Sequence, residues 1–150
     1  AGEAALDAVA NDRRPSDILT KKSFENAVAL QVAIGGSTNA VLLLLALAAE
    51  AGVDLSIEEF DEISRLTPKI ANLQPGGTKT MNDLHEEGGG PVVIRRLLDA
   101  GLVHGDAMTV TGRTIEAELE GPQTFRDRLN SAFGPGGGSG DSNGGCEDGS

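Results

Sequence analysis

The polar run at residues 35–39 contains side chains of the types that bind small anions. Two hydroxyls and a carboxamide follow a pair of glycines in the run Gly35-Gly36-Ser37-Thr38-Asn39. Glycines allow the backbone to approach a ligand closely, and the exposed amides at the start of a helix suit a carboxylate or a phosphate. We therefore predict an anion-binding loop formed by Gly36, Ser37, Thr38 and Asn39. The alternative is that the run only turns the chain between two packed helices.

A second polar run places carboxylates beside an imidazole. It comprises Asp83, His85, Glu86 and Glu87, close to a run of glycines. Such groups can transfer protons or help to bind a metal. Asp83 and Glu87 would share a helix face, but two carboxylates and one histidine do not complete a metal site at this spacing. We therefore expect a solvated acidic helix here, and a loop position for the other histidine, His104.

Helices must position the first run. Apolar residues recur with helical spacing over residues 24–34, and Gly35 is a typical residue for a left-handed helix stop. A second helix is predicted over residues 40–51, and each polar residue that precedes it is a suitable N-cap. Residues 35–39 would then form a tight turn between two helices.

Capping signals predict several of the remaining helices. Ser56 and Glu59 form a capping-box pattern for a helix over residues 57–65, and Thr80 is placed to cap a short helix that carries the second polar run. Further helices are predicted at residues 3–10, 92–100 and, after a cap at Thr114, up to residue 119, and short strands at residues 70–73 and 108–110. The predicted fold class is mainly α with a few short strands.

The charge of the chain limits the partners that it can have. The 150 residues carry a net charge of −11, and phosphate contacts need clustered Lys and Arg, so we predict no nucleic-acid binding. Acidic residues spread over helix faces fit a salt-rich cytoplasm, and halophily is therefore a hypothesis. No apolar run is long enough to span a bilayer and no export signal is visible, so we predict a cytoplasmic protein without membrane contact.

The C-terminal residues differ in composition from the rest. Residues 134–150 are mostly Gly, Ser, Asp and Asn, which cannot bury enough apolar surface to offset the chain entropy, so we predict a disordered Gly/Ser/Asp-rich tail. Cys146 is the only cysteine and lies in this tail. The chain alone therefore provides no disulfide and no cysteine-held metal cluster.

Five motifs follow one another along the chain in a characteristic order. They are DILTKKSFENA at residues 17–27, GGSTNAVL at 35–42, NLQPGG at 72–77, MNDLH at 81–85 and GDAMTVTG at 105–112. In these motifs and their order the chain resembles the dihydroxy-acid and phosphogluconate dehydratase family. The resemblance covers residues 1–119, and the branched-chain amino-acid enzyme is more similar than the sugar-acid relatives.

The resemblance implies a fragment of the α/β N-terminal domain of a hydro-lyase. Such an enzyme removes water from a 2,3-dihydroxy carboxylate to give a 2-oxo acid in branched-chain amino-acid biosynthesis. In the family an iron-sulfur cluster acts as Lewis acid on the leaving hydroxyl, a magnesium ion (Mg2+) orients the substrate, and a base takes the C2 proton. The family's cluster and magnesium ligands lie in segments that are not part of these residues, so we expect no metal ligands in this chain and no activity of the chain alone.

The resemblance also implies a role for the first polar run and an assembly. Gly36, Ser37, Thr38 and Asn39 would bind substrate near the pocket, and the family implies a homo-oligomer that takes a small dihydroxy acid. Leu43 stands where the family motif has histidine, and Gly90 where it has valine.

The resemblance and the composition divide the chain into three parts. We predict a partial dehydratase domain at residues 1–119, a divergent segment at 120–133 and the tail at 134–150. The alternatives to a dehydratase fragment are a non-catalytic interaction module and a non-functional remnant.

Overall fold

The computed structural model describes residues 2–74 and 76–120, which form eight α-helices. The helices are α1 (Gly2–Ala10), α2 (Pro15–Ile18), α3 (Lys21–Ala33), α4 (Thr38–Glu50), α5 (Ile57–Leu66), α6 (Met81–Glu86), α7 (Gly89–Asp99) and α8 (Ile115–Glu120). The mainly α prediction is confirmed. The predictions for residues 121–150, the disordered tail among them, lie outside the described residues.

Helix α3 lies at the centre of the fold and contributes to two apolar clusters. Phe24 and Val28 pack in the first cluster with residues of α4, α5 and the loop between them. Ala29 and Ala33 pack in the second cluster against α7. Because burial of apolar surface is the main source of folding energy, α3 is the element that holds α4, α5 and α7 together.

Local signals set the ends of most helices. Thr20, Ser56 and Thr80 each accept a hydrogen bond from a backbone amide three residues later and form a capping box. The predicted caps at Ser56 and Thr80 are confirmed. Helix α4 begins at Thr38 and helix α7 at Gly89, both earlier than predicted. For α7 the reason is that Pro91 fits the first turn of a helix and does not have to precede it.

Neither segment that was predicted as a strand forms one. Ile70 and Ala71 both donate their amides to the carbonyl of Ala33, at 2.8 and 3.0 Å. A segment bound to the end of a helix in this way has no neighbouring strand with which to build a ladder. Within the described residues only isolated bridges occur, and they join Leu73 to Lys79 and Met108 to Thr114.

A buried asparagine connects α3 to the loop that follows α7. Asn26 is 8% exposed, its Nδ2 donates to the carbonyl of His104 at 2.9 Å, and its Oδ1 accepts from the amide of His104 at 2.6 Å. The carboxamide thus satisfies both backbone groups of one loop residue. Since a buried backbone group without a partner is costly, this side chain fixes the loop against α3.

We expect the substitution Asn26→Ala to destabilise the full chain by about 2–3 kcal/mol, because both backbone groups of His104 lose their partner in a poorly solvated place. Urea unfolding at constant salt measures the loss. The matched control is Asn82→Ala on exposed α6, which should change the free energy of unfolding by less than about 0.5 kcal/mol. Equal stability of the two variants would contradict a structural role for Asn26.

Candidate functional site

The turn between α3 and α4 ends α3 in a Schellman motif. The amide of Gly36 donates to the carbonyl of Gln31 at 2.9 Å, and the amide of Gly35 donates to the carbonyl of Val32 at 2.9 Å. Gly35 has a φ of +67°, in the left-handed region that costs other residues roughly 1–2 kcal/mol. The predicted left-handed stop at Gly35 is therefore confirmed.

The N-terminus of α4 faces solvent directly after this turn. Ser37 is the N-cap, in an extended conformation, and its side chain makes no capping hydrogen bond. Thr38 and Asn39 occupy the first two helical positions and are exposed. The first amides of a helix have no acceptor within the helix, and with the helix dipole they favour an anion. The geometry suits the predicted anion loop, and anion binding itself stays a prediction.

The side chain of Gln31 stabilises this turn. Its Nε2 donates to the carbonyl of Ser37 at 2.7 Å. A Cβ on Gly36 would lie 1.9 Å from Oε1 of Gln31, so any side chain at this position would displace the carboxamide. Gly36 therefore shapes the turn by leaving room for Gln31.

Lys69 brings a positive charge to the same turn. Its Cε lies 2.9 Å and its Nζ 3.3 Å from the place that a Cβ on Gly35 would occupy, and Nζ lies 3.2 Å from the corresponding place on Gly76. Among residues 2–74 and 76–120, no carboxylate forms an ion pair with this ammonium. Lys69 could not be predicted from the sequence as part of this turn, because it reaches the turn only through the hydrogen bonds that join the next two residues to Ala33.

The second polar run serves local structure. Asp83 accepts from the amide of Thr80 at 2.6 Å and from its hydroxyl at 3.0 Å, and Glu87 forms an ion pair with Lys79. His85 and Glu86 are exposed on α6. Hydrogen bonds from the backbone and hydroxyl of Thr80, helped by the charge of Lys79, hold the pKa of Asp83 below its ordinary value. The carboxylates cap and pair with neighbours, and they do not converge on one point.

A carboxylate–imidazole pair occurs elsewhere, at a place that sequence spacing did not indicate. His104 lies in the loop after α7, as predicted, and its Nε2 is 2.5 Å from Oε2 of Glu25 on α3. Lys22 pairs with Asp106 nearby and holds the pKa of that carboxyl below its ordinary value. Together with the Asn26 contacts, these pairs join α3 to the loop. The partners are far apart in sequence, so no local pattern could have revealed them.

One cleft lies between residues 70–79 and the α6–α7 pair. Its volume is about 460 Å³, which is within the range of small-ligand sites. It is lined by Ile70, Ala71, Asn72, Leu73, Lys79, Leu84, Glu87, Val92, Val93 and Arg96. The four residues of the predicted anion loop are not among these, so they do not line the cleft.

The described residues do not provide a metal centre. No group of three or more His, Cys, Asp or Glu side chains among residues 2–74 and 76–120 is placed to hold a metal ion. Cys146 lies outside these residues. The described residues contain no cysteine, so they provide no thiolate to hold an iron-sulfur cluster. In the same residues no helix is both long and apolar enough to cross a membrane.

The order of the motifs and the helical fold indicate the family to which the chain belongs. Residues 1–118 match the family model described as "Dihydroxy-acid/6-phosphogluconate dehydratase N-terminal". This match covers well over half of the chain, and the chain belongs to that family. The resemblance inferred from the five motifs is confirmed.

Three relatives of this chain carry the same name, dihydroxy-acid dehydratase. The chain is 69% identical over 129 residues to the "Dihydroxy-acid dehydratase" of Haloarcula marismortui, covering 85% of this chain and 22% of that enzyme. It is 72% identical over 119 residues to the enzyme of the same name from Natronomonas pharaonis, covering 79% of this chain and 20% of the relative. The Thermus thermophilus relative is 58% identical over 120 residues, covering 80% of this chain and 22% of the relative. The chain thus spans about a fifth of the length of these curated relatives.

We expect the pKa of Asp83 to rise toward its ordinary value of 3.8 in the variant Thr80→Val, because one of the two hydrogen bonds to the carboxylate is lost. A carboxyl group with a lowered pKa in the folded state stabilises the fold above its ordinary pKa. That contribution is lost as the pH falls through the lowered pKa. An NMR titration of the Asp83 carboxyl carbon measures the change. The control Thr111→Val should leave this titration unaltered, and an unaltered Asp83 titration in Thr80→Val would exclude the hydroxyl as a cause.

Proposed function

We propose that this chain is the substrate-carboxylate-binding part of a dihydroxy-acid dehydratase, a hydro-lyase that converts a 2,3-dihydroxy carboxylate into a 2-oxo acid. The carboxylate would bind at the turn formed by Gly36, Ser37, Thr38 and Asn39. The observation that carries the proposal is the exposed N-terminus of α4, with the Lys69 ammonium at the same turn. A carboxylate is the group of this substrate that carries a full negative charge.

The charges around the turn support this assignment. The chain as a whole has a net charge of −11, which repels an anionic substrate over most of its surface. A cation without a carboxylate partner in the described residues, close to Gly35 at the start of this turn, is therefore a distinctive local feature. Amide donors and a lysine together satisfy a carboxylate at low cost, because the backbone groups are fixed before the ligand arrives.

The catalytic metals of the proposed reaction would be bound by other parts of the whole enzyme. The family resemblance implies an iron-sulfur cluster and magnesium, and the described residues contain no cysteine that could hold the cluster. We therefore assign to this chain binding and orientation of the substrate, and no proton-transfer or metal-assisted step. A homo-oligomeric enzyme in a salt-rich cytoplasm is the setting that we propose, supported by the acidic composition.

We expect this chain alone to show no turnover of 2,3-dihydroxyisovalerate after anaerobic iron-sulfur reconstitution, because the described residues provide no ligand set for the cluster. Formation of the 2-oxo acid, followed as its hydrazone, is the measurement. The Haloarcula marismortui enzyme, treated in the same way, is the positive control. Turnover by the chain would refute the division of tasks proposed here.

The role of the turn can be tested in a chimera, in which residues 1–118 of this chain replace the matching segment of the Haloarcula marismortui enzyme. We expect the chimera to be an active dehydratase. Asn39→Ala and Lys69→Met should each lower kcat/KM about tenfold, mainly through KM, because binding of an unreacting carboxylate stabilises ground state and transition state alike. Steady-state kinetics with the cluster absorbance monitored in parallel would measure this.

Matched substitutions distinguish a carboxylate contact from a general loss of structure. Asn82→Ala and Arg65→Met remove an exposed carboxamide and an exposed cation elsewhere, and should leave kcat/KM within about twofold. Lys69→Arg retains the positive charge and should restore much of the activity that Lys69→Met loses. If Asn39→Ala and Lys69→Met behave like these controls, the turn does not bind the substrate carboxylate.

A further inference from the structure

The cleft between residues 70–79 and the α6–α7 pair is built by two chain reversals. In the first, the amide of Lys79 donates to the carbonyl of Asn72 at 2.9 Å, and a Cβ on Gly77 would collide with the backbone of Asn72. In the second, Gly88 has a φ of +109°, which glycine adopts readily, and α7 returns to contact α6. The walls of the cleft are therefore set by backbone geometry.

The buried part of the cleft lining is apolar. Ala71, Leu73 and Val93 line the cleft and are buried. Ile70 and Leu84 also line it, and both pack against the second apolar cluster. A hydrocarbon group in the cleft would thus leave water for contact with side chains that the fold already holds in place.

Four polar side chains complete the lining, and three of them already have partners. The Nδ2 of Asn72 donates to Oγ1 of Thr78 at 2.9 Å, and Lys79 forms an ion pair with Glu87. Arg96 is the fourth and is exposed on α7. In the part of the chain that the structure describes, no carboxylate pairs with its guanidinium. The cleft therefore combines an apolar interior with one positive charge that lacks a partner there.

We propose that this cleft binds a short branched aliphatic carboxylate. Its carboxylate pairs with Arg96, because a guanidinium matches the geometry of a carboxylate with two parallel hydrogen bonds. Its hydrocarbon end packs on the apolar lining. A dihydroxy acid fits this cleft poorly, since a hydroxyl buried without a hydrogen-bond partner is costly. The cleft is thus a second carboxylate site, and the proposal does not rest on the contacts proposed at the turn of residues 36–39.

Charge and size favour a small monoanion over a larger or more highly charged ligand. The charges of Lys79 and Glu87 offset each other in their ion pair, which leaves the single positive charge of Arg96. One carboxylate balances this charge, whereas a phosphate dianion would bring an excess negative charge close to Glu87. The volume of about 460 Å³ lies toward the lower end of the range for ligand sites, which suits a molecule of a few carbon atoms.

Titration of isovalerate into the full chain, followed by amide NMR shifts, tests the proposal. We expect saturable shifts at the amides of residues that line the cleft. Two ligand controls separate the two parts of the site. Isovaleramide has the same hydrocarbon end without the charge, and acetate has the charge without the branched end. Each should bind at least about tenfold more weakly than isovalerate, because each lacks one of the two contacts.

Substitutions in the chain test the same contacts from the protein side. Arg96→Met should weaken isovalerate binding at least about tenfold, and Val92→Thr about threefold, because it adds a hydroxyl to an apolar wall. The control Arg65→Met removes an exposed cation on α5 and should leave the affinity within about twofold. Lys69→Met, at the carboxylate turn, should also leave it within about twofold. The spectrum of each variant shows whether it is folded.

The contrary outcomes are distinct from one another. Equal affinity for isovalerate and isovaleramide would exclude an ion pair with Arg96 and overturn the proposal. A loss of binding in Lys69→Met but not in Arg96→Met would place the acid at the carboxylate turn instead. Weak shifts that do not saturate and are spread over the surface would also overturn it. A failure of the turn substitutions in the kinetic test would leave all of these results unaffected.

The chimera with the Haloarcula marismortui enzyme shows whether the cleft stays open in a whole dehydratase. Phenylglyoxal modification of Arg96 is followed by peptide mass spectrometry, and isovalerate should slow it at least about fivefold in the chain and in the chimera. Arg95, which donates to the carbonyl of Leu119, is the internal control, and its modification should not depend on the ligand. An Arg96 that is unreactive in the ligand-free chimera would show that another part of the enzyme fills the cleft, and would overturn the proposal.

Discussion

The structure depends on the burial of helix α3 along two of its sides. Phe24 and Val28 pack toward α4 and α5, and Ala29 and Ala33 pack toward α7. Small residues on the second side allow α7 to approach closely, and Val93 and Leu97 fill the contact. A change in the position of α3 would also move the turn at residues 35–39, because that turn begins at the C-terminus of α3.

Features that depend on neighbouring residues could be predicted from the sequence. The stop at Gly35 and the capping box at Ser56 are made by hydrogen bonds within six residues, so the local residue types determine them. The family could also be inferred from the sequence, because the motifs and their order can be recognised without knowledge of how the helices pack. Helix α4 begins at Thr38, two residues before its predicted start. Several consecutive residues were suitable N-caps, so the sequence did not determine which one would precede the helix. The residue that does so, Ser37, makes no capping hydrogen bond with its side chain.

Features that depend on distant residues could not be predicted in this way. The segment after α5 looked like a strand because it is short and apolar, but its amides bind the carbonyl of Ala33. The same hydrogen bonds bring Lys69 to the turn at residues 35–39. They therefore explain both why the predicted strand does not form and why Lys69 was not predicted at the turn. Asn26 and His104 illustrate the point again, since the hydrogen bonds between them join residues 78 positions apart.

Helix α4 links the proposed carboxylate site to the packing of the fold. Its inner side is fixed to α3, and its N-terminus presents amides at the turn. The position of α4 against α3 therefore sets where these amides lie, so the proposed binding of a carboxylate at the turn depends on the packing of Val28 against α4.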